Sequence, residues 1–309
     1  MSVPGTTGPA RRGDDATAAK PHPARPGPGA VAATFEKAAT DGRAALVGYL
    51  PAGFPSIDGA AAAARAIAEA GADIIEVGLP YSDPLMDGPV IQEAVHRALT
   101  RGTRIADVLN MVQAVAETGT PALVMTYWNP VDRYGVEAFA RDLAAAGGSG
   151  LITPDLTPEE AGPWLEVAGR YRLDPVFLVA PSSTDDRIER VATVCGGFVY
   201  AASLMGVTGT RDTVSDAAAG LVRRVRARSK LPVAVGLGVR DGAQAKKVAE
   251  FADGVIVGSA FVRCLLDAPD ERAGAGDAAR LAADLARGVR ARAATPQAPD
   301  DAPFAGQSG

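Results

Sequence analysis

The stretch GADIIEVGLPYSDPLMDGP, residues 71–89, decides the fold. Its first half is a short apolar run rich in Ile and Val and ending in Gly78, which is how a strand buried on both faces reads. Its second half is dense in Pro, Gly and Asp, so it reads as a loop. One carboxylate, Glu76, lies inside the strand, and two more, Asp83 and Asp87, lie in the loop behind it. Alternation along a strand puts Ile74 and Glu76 on one face and Ile75 and Val77 on the other.

Seven further apolar runs flank this one, at 45–50, 121–126, 150–153, 175–180, 197–202, 232–238 and 254–259. Amphipathic, Ala-rich segments separate most of them, at 58–71, 136–147, 158–171, 215–229 and 242–251. Continuous apolar strands alternating with helices imply parallel strands covered by helices. Eight such units fit a (β/α)8 barrel of the TIM type better than an open doubly wound sheet. The expected organisation is one barrel domain over residues 31–293, with an extra Ala/Arg-rich helix near 276–293. Residues 1–30 and 294–309 are Pro-, Gly- and Ala-rich without periodicity and read as disordered arms. GADIIEVG and ADGVIVGS resemble one another over too short a span to define a repeat.

Composition narrows the function. A net charge of -5 argues against nucleic-acid binding, which calls for a basic footprint. Two cysteines, Cys195 and Cys264, and two histidines, His22 and His96, supply neither a disulfide framework nor a first-row metal centre, so no metal is expected. No apolar run approaches the ~18 residues of a membrane span. Arg11 and Arg12 are not followed by an apolar segment, so no secretory signal is read, and the expectation is a soluble cytoplasmic protein.

Barrel enzymes carry their sites at the C-terminal ends of the strands. With Ile75 and Val77 against the helices, Glu76 points into the barrel near that rim. Burying an ionised carboxylate there costs several kcal/mol unless it is paired, whereas an apolar side chain would gain about 1.5–3 kcal/mol. Two readings remain open at this point: a Glu paired with a distant cation or wetted at the rim, and a catalytic acid–base. Asp87 likewise reads either as a site carboxylate or as part of the start of the helix 90–99, with Pro89 in its first turn. Asp83 before Pro84 is an ordinary turn residue. Glycines at GVTGT (206–210), GLG (236–238) and VGSA (257–260) end strands six to eight, where backbone N–H groups and a helix N-terminus suit a phosphate. Tyr49, Met125, Tyr127 and Asn129 end strands one and three and suit a pocket for an apolar ring. Tyr200 reads as core or rim. His96 and the two cysteines read as solvated or packing residues, and 222–230 as a solvated helix face.

GYLPAGFP (48–55), residues 71–94, LVMTYWNPVDRYG (123–135), GLITPDLTPEE (150–160), FVYAASLMGVTGTR (198–211), LPVAVGLGV (231–239) and ADGVIVGSA (252–260) together strongly resemble the tryptophan synthase alpha chain family, in order, over about residues 33–265. The resemblance implies retro-aldol cleavage of indole-3-glycerol phosphate to indole and glyceraldehyde 3-phosphate, with no cofactor on this chain. It implies Glu76 as the acid/base and Asp87 as the carboxylate at the indole N–H. It places Tyr200 near the catalytic Glu and Thr208 as the residue orienting Asp87. Gly209, Gly238, Gly258 and Ser259 fall at the phosphate-binding backbone positions. Asp83 falls on the surface meeting a pyridoxal-phosphate beta chain, in an α2β2 heterotetramer, and Asp155 falls near that surface. Phe54 replaces a common Asp, and Leu204 lies where some members carry Arg. Rival phosphate-binding barrels, such as indole-3-glycerol phosphate synthase or a phosphoribosyl isomerase, call for a catalytic Lys or Cys in the barrel, and no inward strand position here offers a Lys. A non-catalytic ligand-binding barrel is disfavoured by the presence of both Glu76 and Asp87.

Overall fold

The computed structural model describes residues 29–84, 86–202 and 211–291. Eight parallel strands close into a barrel. They are β1 (Ala45–Pro51), β2 (Ile74–Gly78), β3 (Ala122–Met125), β4 (Gly150–Thr153), β5 (Asp174–Val179), β6 (Val199–Ala202), β7 (Val233–Gly236) and β8 (Gly254–Val257). Each pairs with the next, and β8 returns to β1 with Val47 opposite Ile256. All eight coincide with the apolar runs of the sequence, because a strand buried on both faces is apolar throughout.

Alternation sorts the side chains into two cores. Ala45, Val47, Ile74, Leu123, Ile152, Val176, Phe198, Ala234 and Ile256 fill the barrel interior. Leu46, Ile75, Val77, Val124, Leu151 and Phe177 face the helices instead. Ile74 is therefore inward and its neighbours Ile75 and Val77 outward, which carries Glu76 to the inside as alternation required.

The N-terminal end of the barrel is plugged by α1 (Ala30–Thr40), a helix the sequence reading did not identify. Its Val31, Phe35 and Ala38 join the interior core, and the Phe35 ring lies 5.2 Å from that of Phe198. The helices over the strands are α2 (Ile57–Glu69), α3 (Pro89–Thr100), α4 (Ile105–Ala116), α5 (Trp128–Tyr134), α6 (Val136–Ala145) and α7 (Gly162–Tyr171). They continue with α8 (Asp185–Val194), α9 (Arg211–Arg226), α10 (Gly242–Ala249), α11 (Ser259–Asp267) and α12 (Glu271–Arg290). The last helix starts earlier than the expected residue 276, because Asp270 accepts the Ala273 N–H at 2.8 Å and caps it there. It packs across α2, α10 and α11. Residues 1–28 of the expected N-terminal arm, all of the expected C-terminal arm 294–309, and residues 292 and 293 lie outside the described residues.

The short likeness between GADIIEVG and ADGVIVGS acquires a physical meaning. Asp73, just ahead of β2, accepts the Leu46 N–H of β1 at 2.8 Å and both Arg43 Nη atoms at 2.8 and 2.9 Å. Asp253, just ahead of β8, accepts the Val233 N–H of β7 at 2.9 Å and Arg226 Nη2 at 2.7 Å. In each case one aspartate ties the start of its own strand to the preceding strand and to a nearby arginine. Arg43 is buried, and Arg226 is exposed. Removing one partner of a buried pair typically costs about 3–5 kcal/mol, and loss of a bond to a more exposed charge about 1–3 kcal/mol. Asp73→Ala is therefore expected to lower the urea midpoint more than Asp253→Ala; equal or reversed losses would refute the ranking.

Candidate active site

At the C-terminal end of the strands the barrel opens into a cavity of about 380 Å3. Its floor is Glu76, only 1% exposed, and its Oε2 has no hydrogen-bond partner among the described residues. No Lys or Arg lines the cavity among those residues, so none of them makes Glu76 half of a buried ion pair. Burial, and then the charge of Asp87, push its carboxyl up to about 8. At neutral pH it is mostly a proton-bearing acid facing a cavity.

Asp87 stands in the wall of the same cavity, half-buried on the loop between β2 and α3, and burial raises its pKa. It does not cap α3; Gly88 occupies the cap position, with no side-chain cap bond. The reading of Asp87 as a helix-start residue thus accounts for its place in the chain and not for its carboxylate. Gln92 Nε2 donates to the Asp87 carbonyl at 2.8 Å and fixes its C-terminal side. Asp83, five residues after the strand, is exposed, with the Ser82 hydroxyl donating to it at 2.6 Å, and it takes no part in the cavity wall.

Two phenols join the carboxylates. Tyr49 lies directly opposite Glu76 in the β1–β2 register, and both line the cavity. Its hydroxyl rests over Gly78, where an added Cβ would clash with the phenol, so glycine at that strand end leaves the room the Tyr49 ring occupies. Tyr200 reaches in from β6, continuing the inward face of Phe198, whose ring lies 6.3 Å away. Burial, together with the two nearby carboxylates, holds both phenols well above their usual range. Between these groups Ile91, Met125, Leu178 and Ile256 make apolar walls suited to a flat ring. Ile91, Leu178, Ile256 and Met86 were missed by the sequence reading. Alternation could have found Leu178 and Ile256, which are inward on β5 and β8, but nothing local marks Ile91 or Met86.

Tyr127 requires a correction. The sequence placed it in the ligand pocket; it is buried behind the cavity, where its hydroxyl accepts the Met86 N–H at 2.9 Å. Asn129 is likewise outside the wall, and its Nδ2 donates to the Tyr81 hydroxyl at 3.4 Å. Gly236, Gly238, Gly258 and Ser259 line the cavity together. Gly238 has φ +63°, a backbone that other L residues rarely adopt. Gly258 caps α11 without a side chain, leaving the helix N-terminus with Ser259 bare toward the cavity. Thr208, Gly209 and Leu204 lie outside the described residues.

Fold and cavity define the class: a (β/α)8 barrel whose open end is equipped for acid–base chemistry on a small ligand. A family model for the tryptophan synthase alpha chain matches residues 35–290. The tryptophan synthase alpha chain of Salinispora arenicola is 60% identical over 260 residues, 84% of this chain and 97% of that protein. That of Thermobifida fusca is 58% identical over 260 residues, 83% of this chain and 96% of its own length. Among solved structures, a chain of tryptophan synthase from M. tuberculosis in an open form superposes with a TM-score of 0.79 at 52% identity, covering 85% of this chain and 100% of that one. This chain belongs to the tryptophan synthase alpha chain family.

The Glu76 environment has a consequence for stability. Its pKa rises from 4.5 to about 8 in the folded chain. Below pH 4.5 both folded and unfolded forms are neutral at this residue. As pH rises the unfolded chain ionises first, so the contribution of Glu76 to stability falls until about pH 8 and then levels off. Glu76→Gln, which cannot ionise, is expected to gain on the wild type across that window, by several kcal/mol at most. Urea unfolding at pH 4.5, 6.5 and 8.5 checks this; a gap that stays constant with pH would refute the burial of a neutral acid.

Proposed function

We propose that Glu76 and Asp87 divide the acid–base work of a retro-aldol cleavage. The chain is a carbon–carbon lyase that performs the alpha reaction of tryptophan biosynthesis, cleaving indole-3-glycerol phosphate to indole and glyceraldehyde 3-phosphate. Breaking the bond from indole C3 to the side chain needs a proton on C3, loss of the hydroxyl proton beside the breaking bond, and stabilisation of charge on the ring nitrogen. Protonated Glu76 supplies the proton to C3. The resulting indolenine carries positive charge, and ionised Asp87 at the N–H stabilises it. The C3–carbon bond then breaks with its electrons returning to the ring, while Glu76 takes the hydroxyl proton and the aldehyde forms. Glu76 ends as it began, so no net proton is consumed.

The observation that carries this reading is a proton-bearing carboxyl with an unpartnered oxygen in the floor of a cavity, beside a second carboxylate. A pKa near the working pH suits a group that must both give and take a proton. The apolar walls fit the indole ring, with Tyr49 and Tyr200 beside Glu76. The phosphate is assigned to the backbone amides at Gly238, Gly258 and Ser259, with Thr208 and Gly209 completing that side and Asp87's orientation.

Family names and the solved tryptophan synthases imply a beta-chain partner. The finer reading is a pyridoxal-phosphate beta chain in an α2β2 assembly, meeting this chain at the exposed Asp83. Met86, apolar and 40% exposed three residues on, supports a contact surface there.

General acid–base groups contribute about 10²- to 10⁴-fold, so Glu76→Gln is expected to lower kcat for indole release by at least about a hundredfold while folding normally. The wild-type rate is expected to form a bell. It falls above about pH 8 as Glu76 loses its proton, and falls on the acid side as Asp87 is protonated, at a pH above the ordinary carboxylate range. Near-normal cleavage by folded Glu76→Gln would sink the assignment, and a rate unaltered by a cognate beta chain would count against the beta-chain contact.

A further inference from the structure

Asp87 sits in a loop rich in Pro and Gly, yet its chemistry tolerates little displacement, since about 1 Å of misplacement can cost a hundredfold in rate. We propose that Tyr127 is a positioning residue for Asp87, acting through the backbone amide of Met86. The inference rests on the acid–base reading of Asp87 given above.

The backbone is held on either side of Asp87, one residue before it and at its own carbonyl. Before it, the Met86 N–H donates to the Tyr127 hydroxyl at 2.9 Å. After it, Gln92 Nε2 donates to the Asp87 carbonyl at 2.8 Å. The second bond is internal to the loop and α3, so it moves with them. The first reaches to a residue 41 positions away, on a different strand-to-helix connection, and ties the loop to the barrel.

Tyr127 is itself fixed. It is the N-cap residue of α5, and the next residue, Trp128, donates its N–H to both Asp155 carboxylate oxygens at 2.9 and 3.1 Å. Its ring packs 5.1 Å from that of Tyr81, whose hydroxyl accepts from Asn129 of α5. The connections after β2, β3 and β4 are thus linked through Tyr127 and its neighbour Trp128, beside the loop that carries Asp87. Asp155 at the far end is exposed, so a perturbation at that surface has a bonded path to Asp87.

Tyr127→Phe keeps the ring and removes the hydroxyl that accepts the Met86 N–H. The test measures cleavage of indole-3-glycerol phosphate across pH together with amide exchange at Met86 in the full chain. Exchange at Met86 is expected to quicken, and kcat to fall about three- to tenfold with KM moving less than about twofold, the range of one net hydrogen bond. The acid limb moves to lower pH as Asp87 gains water, while the alkaline limb of Glu76 stays in place. Unchanged exchange at Met86 overturns the proposal, and so does faster exchange with an unaltered kcat and acid limb. An equal loss at every pH with a lowered thermal midpoint assigns Tyr127 a packing role only, and overturns it too. Should Tyr127→Phe fail to fold, Tyr81→Leu, which removes the ring partner from a partly exposed loop position, must move kcat and the acid limb in the same direction. A Tyr81→Leu chain with both unaltered also overturns the proposal. A wild-type chain with no acid limb would instead remove the Asp87 assignment, and the Met86 exchange tells the two failures apart.

Discussion

A carboxyl group buried with no cation among the described residues around it is the constraint on which the rest of this site depends. Glu76 is enclosed at the mouth of a closed barrel, and no described residue of the cavity wall offers it a positive partner. Its ionised form is therefore disfavoured by burial first and by Asp87 second. The neighbouring groups are compatible with that state. Tyr49 and Tyr200 are phenols that stay protonated, and apart from Asp87 and Ser259 the remaining described wall is apolar or glycine. A lysine at any of these wall positions would restore an ordinary carboxylate and remove the acid.

Such a site needs a scaffold whose stability comes from elsewhere. Here it lies at the opposite end of the barrel. The α1 helix closes that end with Val31, Phe35 and Ala38, and the interior above it is apolar up to the level of Glu76. Asp73 and Asp253 use buried or partly buried hydrogen bonds to tie neighbouring strands at their starts. With the strand starts fixed, the strand ends can carry a neutral acid, glycine notches and an open helix terminus, none of which strengthens a core.

The two acidic residues show how far sequence pattern reaches. Glu76 was placed correctly because alternation on a strand is geometric: once Ile75 and Val77 face the helices, Glu76 has one direction left. Asp87 could be read as a site carboxylate or as part of a helix start, since the same Asp-Gly-Pro serves both purposes locally. Tyr127 misled for a related reason. It ends a strand near the rim, and proximity to the rim suggests ligand contact, but its direction is set by the partner that claims its hydroxyl, the Met86 amide of another connection. The α1 plug was overlooked because its apolar residues have no partner within their own stretch of chain.

By itself the sequence determined what depends on neighbours along the chain. That includes the eight apolar strands and their alternation, the loop chemistry that follows each strand, the glycine-rich ends of β7 and β8, and the inward direction of Glu76. The tertiary structure decided what depends on groups brought together by barrel closure. Tyr49 faces Glu76 only because β1 pairs with β2 in that register. The Glu76 carboxyl is an acid near neutrality only because the walls that bury it, and Asp87 beside it, come from several strands and loops far apart in sequence. Hydrophobic period is a property of a segment; desolvation is a property of everything that surrounds it.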